Sequence, residues 1–354
     1  MREYGIARRH EKGLPASAMF VVRQATSDDR APLTKFAEML PVSGWAAGRA
    51  EIARRIELSS DSFAGRVSDD LHRQFLFVLE DTDRGAAIGA GALLSCVSGP
   101  GQPLVWLSIR RHRCFSSDLQ GGQEQVTLQF QADNTPVSEV ADLILAPPYR
   151  GHREKLASLL GLVRFHFIGL RRDWFADSVI AHLPPPASPD RSHPFWEHLG
   201  GRFVNLAFDE AQELRRHSTE FLTALFPKTE IHVSLLPPHV RRLIGRVAEE
   251  AVPAKVLLKR IGFALTPNID PVHGGAILRA ATDQIPLVAA TRATRVGDPA
   301  ESYPLSGLVS AGAEGQFRAV RSPFAERNSG ICIPAETAGL LGIHVGDAVA
   351  VTCF

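Results

Sequence analysis

The residues best placed to do chemistry are those of one turn, Pro147-Pro148-Tyr149-Arg150, because of what flanks it. Before it, Val140, Leu143, Ile144 and Leu145 make a short β-favouring run, and Pro147-Pro148 can continue neither a sheet ladder nor a helix. After it, Leu156, Leu159, Leu160, Val163 and Phe167 recur at spacings of three and four, the apolar face of a helix that packs back on the strand. A strand that turns directly into a helix leaves the first helical amides unpaired beside the positive end of the dipole, which suits a phosphate or pyrophosphate. The plainer reading of the same residues is a strand and helix packed for structure alone.

Other reactive side chains are sparse. Cys96, Cys114, Cys332 and Cys353 include no Cys-x-x-Cys pair and no histidine at ligand spacing, so no metal site is expected. The thiols read as reduced ones in a cytoplasm. A formal net charge of +1 over 354 residues leaves no electrostatic footprint for nucleic acid or an anionic membrane. The local clusters Arg110-Arg111-His112-Arg113 and Arg171-Arg172 read as solvated loops or helix ends. The longest apolar stretch, around Ile88 to Val97, falls well short of the roughly 20 residues that span a bilayer.

The elements that must position the turn follow from periodicity. From Met19 a strand (Phe20, Val21, Val22) leads into a polar turn, with Thr26, Ser27 or Asp28 as cap of a helix over Ala31 to Leu40. A second helix is expected near Ala50 to Leu58, then strands over Gln74 to Glu80 and Ala86 to Val97 separated by a hairpin turn. Trp106 to Ile109 and Gln125 to Gln131 alternate as strands, and Ser178 to Leu183 is a further one. Pro194 to Phe203 reads as a short helix closed by glycine and followed by a strand, and Pro253 to Phe263 repeats that unit. Helical segments are expected near Asp209 to Leu225 and Pro238 to Glu250, and short strands with turns after about Leu287. A mixed sheet with helices on both sides is the implied architecture.

Taken in order, several stretches resemble the arginine N-succinyltransferase family: Phe75 to Asp81, Pro194 to Gly200, Ala224 to Lys228, Asn268-Ile269-Asp270 with Gly274-Gly275, and Phe317 to Val320. The resemblance covers nearly everything from Met19 to the C-terminus and is closest in character to the alpha-type chain of two-subunit arginine/ornithine succinyltransferases. It implies an α/β fold: a GNAT-like acyl-CoA N-acyltransferase domain with a C-terminal extension ending in a small β-rich domain. The implied divisions are a flexible extension 1–18, the acyltransferase domain 19–205, a helical region 206–286 and the β-rich domain 287–354. It further implies transfer of succinyl from succinyl-CoA to the α-amino group of arginine or ornithine, in arginine catabolism. Such enzymes need no metal, and homo-oligomers or a related paralogous subunit are the implied partners.

Carried over residue by residue, the resemblance puts the acyl-CoA along Leu143 and Leu145 and around Arg150, Gly151, Arg153 and Lys155, and the acceptor near Asp133, Asn134 and His273. Two departures matter. The family's loop has the form Arg-Lys-x-Gly-Asn-Gly, and Arg153 and Lys155 stand where its later glycines would; side chains there crowd a diphosphate, whereas their charge attracts it. The family's proton-donating histidine is Ala248 here, leaving His232, His239 and Glu249 as nearby substitutes. Three readings therefore stand open: an active enzyme with a relocated base, a catalytically impaired partner subunit, and an amino-acid or acyl-CoA-binding module.

Overall fold

The alternation Phe75-Leu76-Phe77-Val78-Leu79 sends Phe75, Phe77 and Leu79 into one apolar core and Leu76 and Val78 into another, so their strand is buried on both faces. The computed structural model in which this is seen describes residues 20–39, 48–188, 190, 192–312, 315–327 and 330–353. The expected extension 1–18 and the strand start at Met19 lie outside the described residues.

The elements are β1 (Phe20–Gln24), α1 (Arg30–Glu38), α2 (Arg49–Phe63), β2 (Gln74–Asp81), β3 (Ala86–Leu94), β4 (Leu104–Ser116), β5 (Gly121–Asp133), β6 (Ser138–Leu145), α3 (Leu156–Leu170) and β7 (Ser178–Leu183). A mainly helical insertion follows, with α4 (Gly201–Val204), α5 (Phe208–Arg215), α6 (Glu220–Leu225), β8 (Ile231–His232) and α7 (Pro238–Arg241). The chain returns through α8 (Val252–Arg260), β9 (Ala264–Ile269), β10 (Ala276–Ala281) and α9 (Pro286–Ala290). It ends with β11 (Arg292–Arg295), β12 (Leu305–Ala311), β13 (Arg318–Arg327), β14 (Gly330–Cys332), α10 (Ala335–Leu341) and β15 (Ala348–Cys353).

Among the described residues the strands run in the order β11-β15-β12-β13-β1-β2-β3-β6-β7-β10-β9-β4-β5-β8, with β14 on β13. The one parallel pair of neighbouring strands is β6 and β7, at the middle of an otherwise antiparallel sheet. Helix α3 packs on the face that carries Phe75 and Phe77, while α1 and α2 cover the opposite face. This is the expected mixed α/β fold, with the C-terminal strands joined to it where β13 pairs with β1.

Three local expectations need correcting. Arg110-Arg111-His112-Arg113, expected in a loop or at a helix end, lie on the exposed half of β4, paired with Glu124 to Thr127 of β5. Instead of ending at glycine and becoming a strand, the segment after Phe195 winds as a π-turn over Trp196–Gly200 and continues into α4. Gly200 and Gly201 both keep right-handed helical angles, and a Cβ on Gly200 would lie 2.3 Å from the Trp196 ring; closure falls to Asn205, at φ 57°. The helix expected across Pro238 to Glu250 stops at Arg241, and Gly245 takes φ 66° a few residues on, a value that breaks a helix. The second helix-glycine-strand unit is as expected: α8, then Gly262 at φ 102°, then β9.

Candidate active site

Strand β6 sets the site because it leaves its neighbour. It pairs with β7 only at Ser138↔Val179 and Glu139↔Ile180. Against β3 its register slips between Ala90↔Ile144 and Ala92↔Ala141, so Asp142 and Leu143 together oppose Gly91, and Asp142 sits at φ 52°. An extra residue on one strand is a β-bulge, which bends that strand and interrupts its ladder. The bulge is held from both faces. Arg55 of α2 approaches the Asp142 carboxylate at 3.6 Å, and the buried Arg164 of α3 donates from Nη1 to the carbonyls of Ala141 at 2.9 Å and Ala92 at 3.2 Å. Burial draws the Arg164 guanidinium down to about 10. Beyond Glu139 the two parallel strands therefore diverge, one towards the α3 turn and the other towards Leu183.

At the far end of β6 is the junction predicted to cradle a pyrophosphate. Pro147–Tyr149 forms a single 3-10 turn, and α3 begins without any side-chain cap, leaving its N-terminus open. Arg150, Gly151, Arg153 and Lys155 are all exposed there, with Gly151 at φ 73° and Lys155 at φ 53°. Lys155 thus holds a left-handed conformation that glycine adopts without strain, whereas Arg153 is not among the positive-φ residues. Arg150 folds back, donating from Nε to the Leu145 carbonyl at 3.1 Å. Leu145 is buried in the core beneath α3, and Leu143 packs against it. Beside the junction a hollow of about 340 Å³ opens between Tyr149, His152 and the Asp81–Arg84 turn, with Asp81 and Asp83 on its wall. Carboxylates repel a phosphate, so the cationic side of the junction is the anion side.

On the face opposite α3, where the strands part, a charged wall is assembled from distant segments. His182 of β7 donates from Nδ1 to Glu139 Oε1 of β6 at 2.9 Å. Asp270, buried at the end of β9, faces Arg215 of α5 at 2.6 Å and accepts the amides of Val272 at 2.8 Å and His273 at 3.0 Å. Burial alone would raise the Asp270 carboxyl, but Arg215, His273 and His182 hold it far below the usual carboxylate range. His273 stands 3.5 Å from Asp270, and its Nδ1 accepts the Gly275 amide at 3.0 Å. Burial pushes it down to about 4.

Ala248 belongs to the same place. Its amide donates to the Pro184 carbonyl at 2.9 Å, two residues past His182, and the Gly245 amide donates to Gly274 at 2.9 Å, beside His273. The substitutes suggested by sequence lie elsewhere. His232 is exposed on the edge strand β8, His239 is exposed with its ring 5.3 Å from that of His198, and Glu249 is exposed. Asp133 is committed to the turn before β6, accepting the Thr135 amide at 2.9 Å and its hydroxyl at 2.8 Å, and Asn134 is exposed beside it. Of the sequence-based acceptor residues, the structure brings only His273 into the wall. His182, Glu139 and Arg215 were missed; the one signal available was a histidine and a glutamate on strands that the strand-turn-helix pattern already made neighbours.

Comparison with known proteins places the chain in a family. The family model described as "Arginine N-succinyltransferase beta subunit" matches residues 20–287, and that of its C-terminal domain matches residues 291–352. The arginine N-succinyltransferase of Photorhabdus laumondii is 30% identical over 304 residues, 84% of this chain and 87% of its own. That of Escherichia coli is 29% identical over 341 residues, 94% of this chain and 96% of its own. Among solved structures, arginine/ornithine succinyltransferase subunit AI from Pseudomonas aeruginosa superposes with a TM-score of 0.77 at 25% identity, covering 95% of this chain and 99% of that one. The chain belongs to the arginine N-succinyltransferase family.

Proposed function

We propose that the protein is an N-acyltransferase that moves the succinyl group of succinyl-CoA to the α-amino group of arginine or ornithine. The observation that carries this is the parting of β6 from β7 at the bulge, with an open, cation-rimmed helix N-terminus at one end and a charged wall at the other. The acyl-CoA would run along Leu143 and Leu145, with its diphosphate at Arg150, Gly151, Arg153 and Lys155. The interrupted ladder at Asp142–Leu143 offers main-chain polarity to the thioester carbonyl. The amine, with a pKa of about 8, must lose a proton before it attacks, and the thiolate then leaves as CoA.

Ala248 favours a second reading, a catalytically impaired subunit that pairs with an active paralogue or with another copy of itself. The cytoplasm, where succinyl-CoA and free thiols coexist, is the compartment we propose; no helix among the described residues is long and apolar enough to cross a membrane. We also propose the domain divisions at 205/206 and 286/287, the latter supported by the boundary between the two matching family models.

The test is direct. The purified protein is mixed with succinyl-CoA and arginine, release of free thiol is followed, and succinyl-CoA binding is titrated calorimetrically. Arginine-dependent thiol release supports the enzyme. Binding without release contradicts it and supports the impaired subunit, which should then co-purify with its paralogue.

A further inference from the structure

We infer that His182, oriented by Glu139, is the base that takes the proton from the acceptor's ammonium group, standing beside the position that Ala248 leaves empty. The inference rests on the acyl-transfer reading above and supplies the group which that reading lacks.

Three observations carry it. First, Glu139 can only accept, so Nδ1 of His182 bears the hydrogen in their 2.9 Å contact, and in the neutral ring the lone pair is left on Nε2. Second, Nε2 is buried and has no hydrogen-bond partner. An orphaned buried nitrogen costs about 1–3 kcal/mol, and a substrate proton to accept would account for it here. Third, the backbone of Ala248 is bonded to Pro184, two residues beyond His182, so the two positions lie close together.

The other members of the wall are already engaged. His273 spends Nδ1 on the Gly275 amide, Arg215 is paired with Asp270, and Asp270 is bonded to two amides. The charged and titratable groups around His182 are Glu139 from β6, Asp270 from the end of β9, Arg215 from α5, and His273, which follows β9. Burial lowers its affinity for a proton and Arg215 opposes protonation, but the two carboxylates prevail and hold His182 above the ordinary value of 6.5. A base shifted upward is better matched to an ammonium group of pKa about 8.

The step balances as follows. One proton of the ammonium group passes to Nε2, and the nitrogen lone pair forms the C–N bond at the thioester carbonyl. Collapse of the tetrahedral adduct breaks the C–S bond, the second proton leaves with sulfur as the thiol, and the imidazolium returns its proton to solvent. Glu139 is the positioning residue: it holds the ring and stabilises its charge.

The experiment compares the full-length protein with H182Q, E139Q and the double variant H182Q/A248H, measuring kcat, the KM for succinyl-CoA and the pH dependence of kcat. H182Q is expected to lose about 100-fold or more in kcat, with an unchanged KM for succinyl-CoA. E139Q removes the charge that raises His182, so its acid limb should move to lower pH as kcat falls, a shift that a structural role would not produce. In H182Q/A248H a histidine at the neighbouring position should restore part of the loss, which also excludes misfolding as its cause. Wild-type turnover with an unaltered kcat and acid limb in H182Q would overturn the base and leave the acyltransferase standing. A wild-type protein that binds succinyl-CoA but never turns over would overturn both.

Discussion

A buried histidine and a half-buried one sit on opposite faces of this sheet, and their neighbours give them opposite characters. His166, on α3, lies at the seam with the C-terminal strands: Nδ1 meets Thr352 Oγ1 at 2.6 Å and Nε2 meets Ser310 Oγ at 2.6 Å. Thr291 gives its hydroxyl hydrogen to the Leu287 carbonyl, so Thr352 must donate to Thr291 and accept from His166 Nδ1–H. Ser310 then donates to Nε2, and both ring nitrogens are satisfied by uncharged partners. With no anion nearby, burial pushes His166 down to about 3. His182 is half-buried, with a carboxylate on Nδ1 and no hydrogen-bond partner on its buried Nε2. Burial alone therefore does not make a base; a charged partner and a vacant nitrogen do.

The largest expected effect strikes the wall that supports His182. Arg215→Met leaves the Asp270 carboxylate buried without its partner and should cost about 3–5 kcal/mol in urea unfolding. The pair R215M/D270N should recover much of that loss; if it does not, Arg215 acts through packing and the electrostatic account of the wall is wrong. Next, His166→Leu strands the Ser310 hydroxyl, leaves Thr352 only its bond to Thr291, and should cost about 2 kcal/mol, while kcat of the folded protein stays unchanged. A large fall in kcat would erase the contrast between the two histidines.

Their pH signatures differ in sign. His166 binds its proton less well folded, at about 3, than unfolded, at 6.5. Its contribution to stability is complete above about 6.5 and is lost as the pH falls towards 3, at up to about 1.4 kcal/mol per pH unit. His182 is raised, so its contribution is present below 6.5 and is lost as the pH rises through its folded value. Stability measured against pH should therefore become flatter below 6.5 in H166L, whereas H182Q should remove the fall that the wild type shows as the pH rises from 6.5 through the folded value of His182. The smallest effect tests the other end of β6. Lys155→Gly relieves a left-handed lysine and should change stability by less than about 1 kcal/mol, leaving both histidine signatures in place.

Much of the frame could be read from residue order. Prolines 147 and 148 and the Leu156–Phe167 stripe placed the β6–α3 junction, and Gly262 marked the end of α8, because each depends on local chemistry. The charged wall was not legible, because His182 and Glu139 are 43 residues apart and meet only through the short parallel pairing of β6 with β7. Arg215 reaches Asp270 from an insertion whose packing on the sheet has no signature in its own sequence. Histidines chosen for being near Ala248 in sequence, His232 and His239, proved to be exposed, whereas the strand holding His182 was brought to Ala248 by one backbone hydrogen bond.

The contrast between the two imidazoles is tested most directly by observing their protonation. In a histidine-labelled sample titrated by nitrogen NMR, the resonance missing from H182Q should titrate above 6.5 in the wild type and move down in E139Q. The resonance missing from H166L should remain neutral across the same range. Two resonances that both titrate near 6.5, with E139Q leaving them unmoved, would contradict the account.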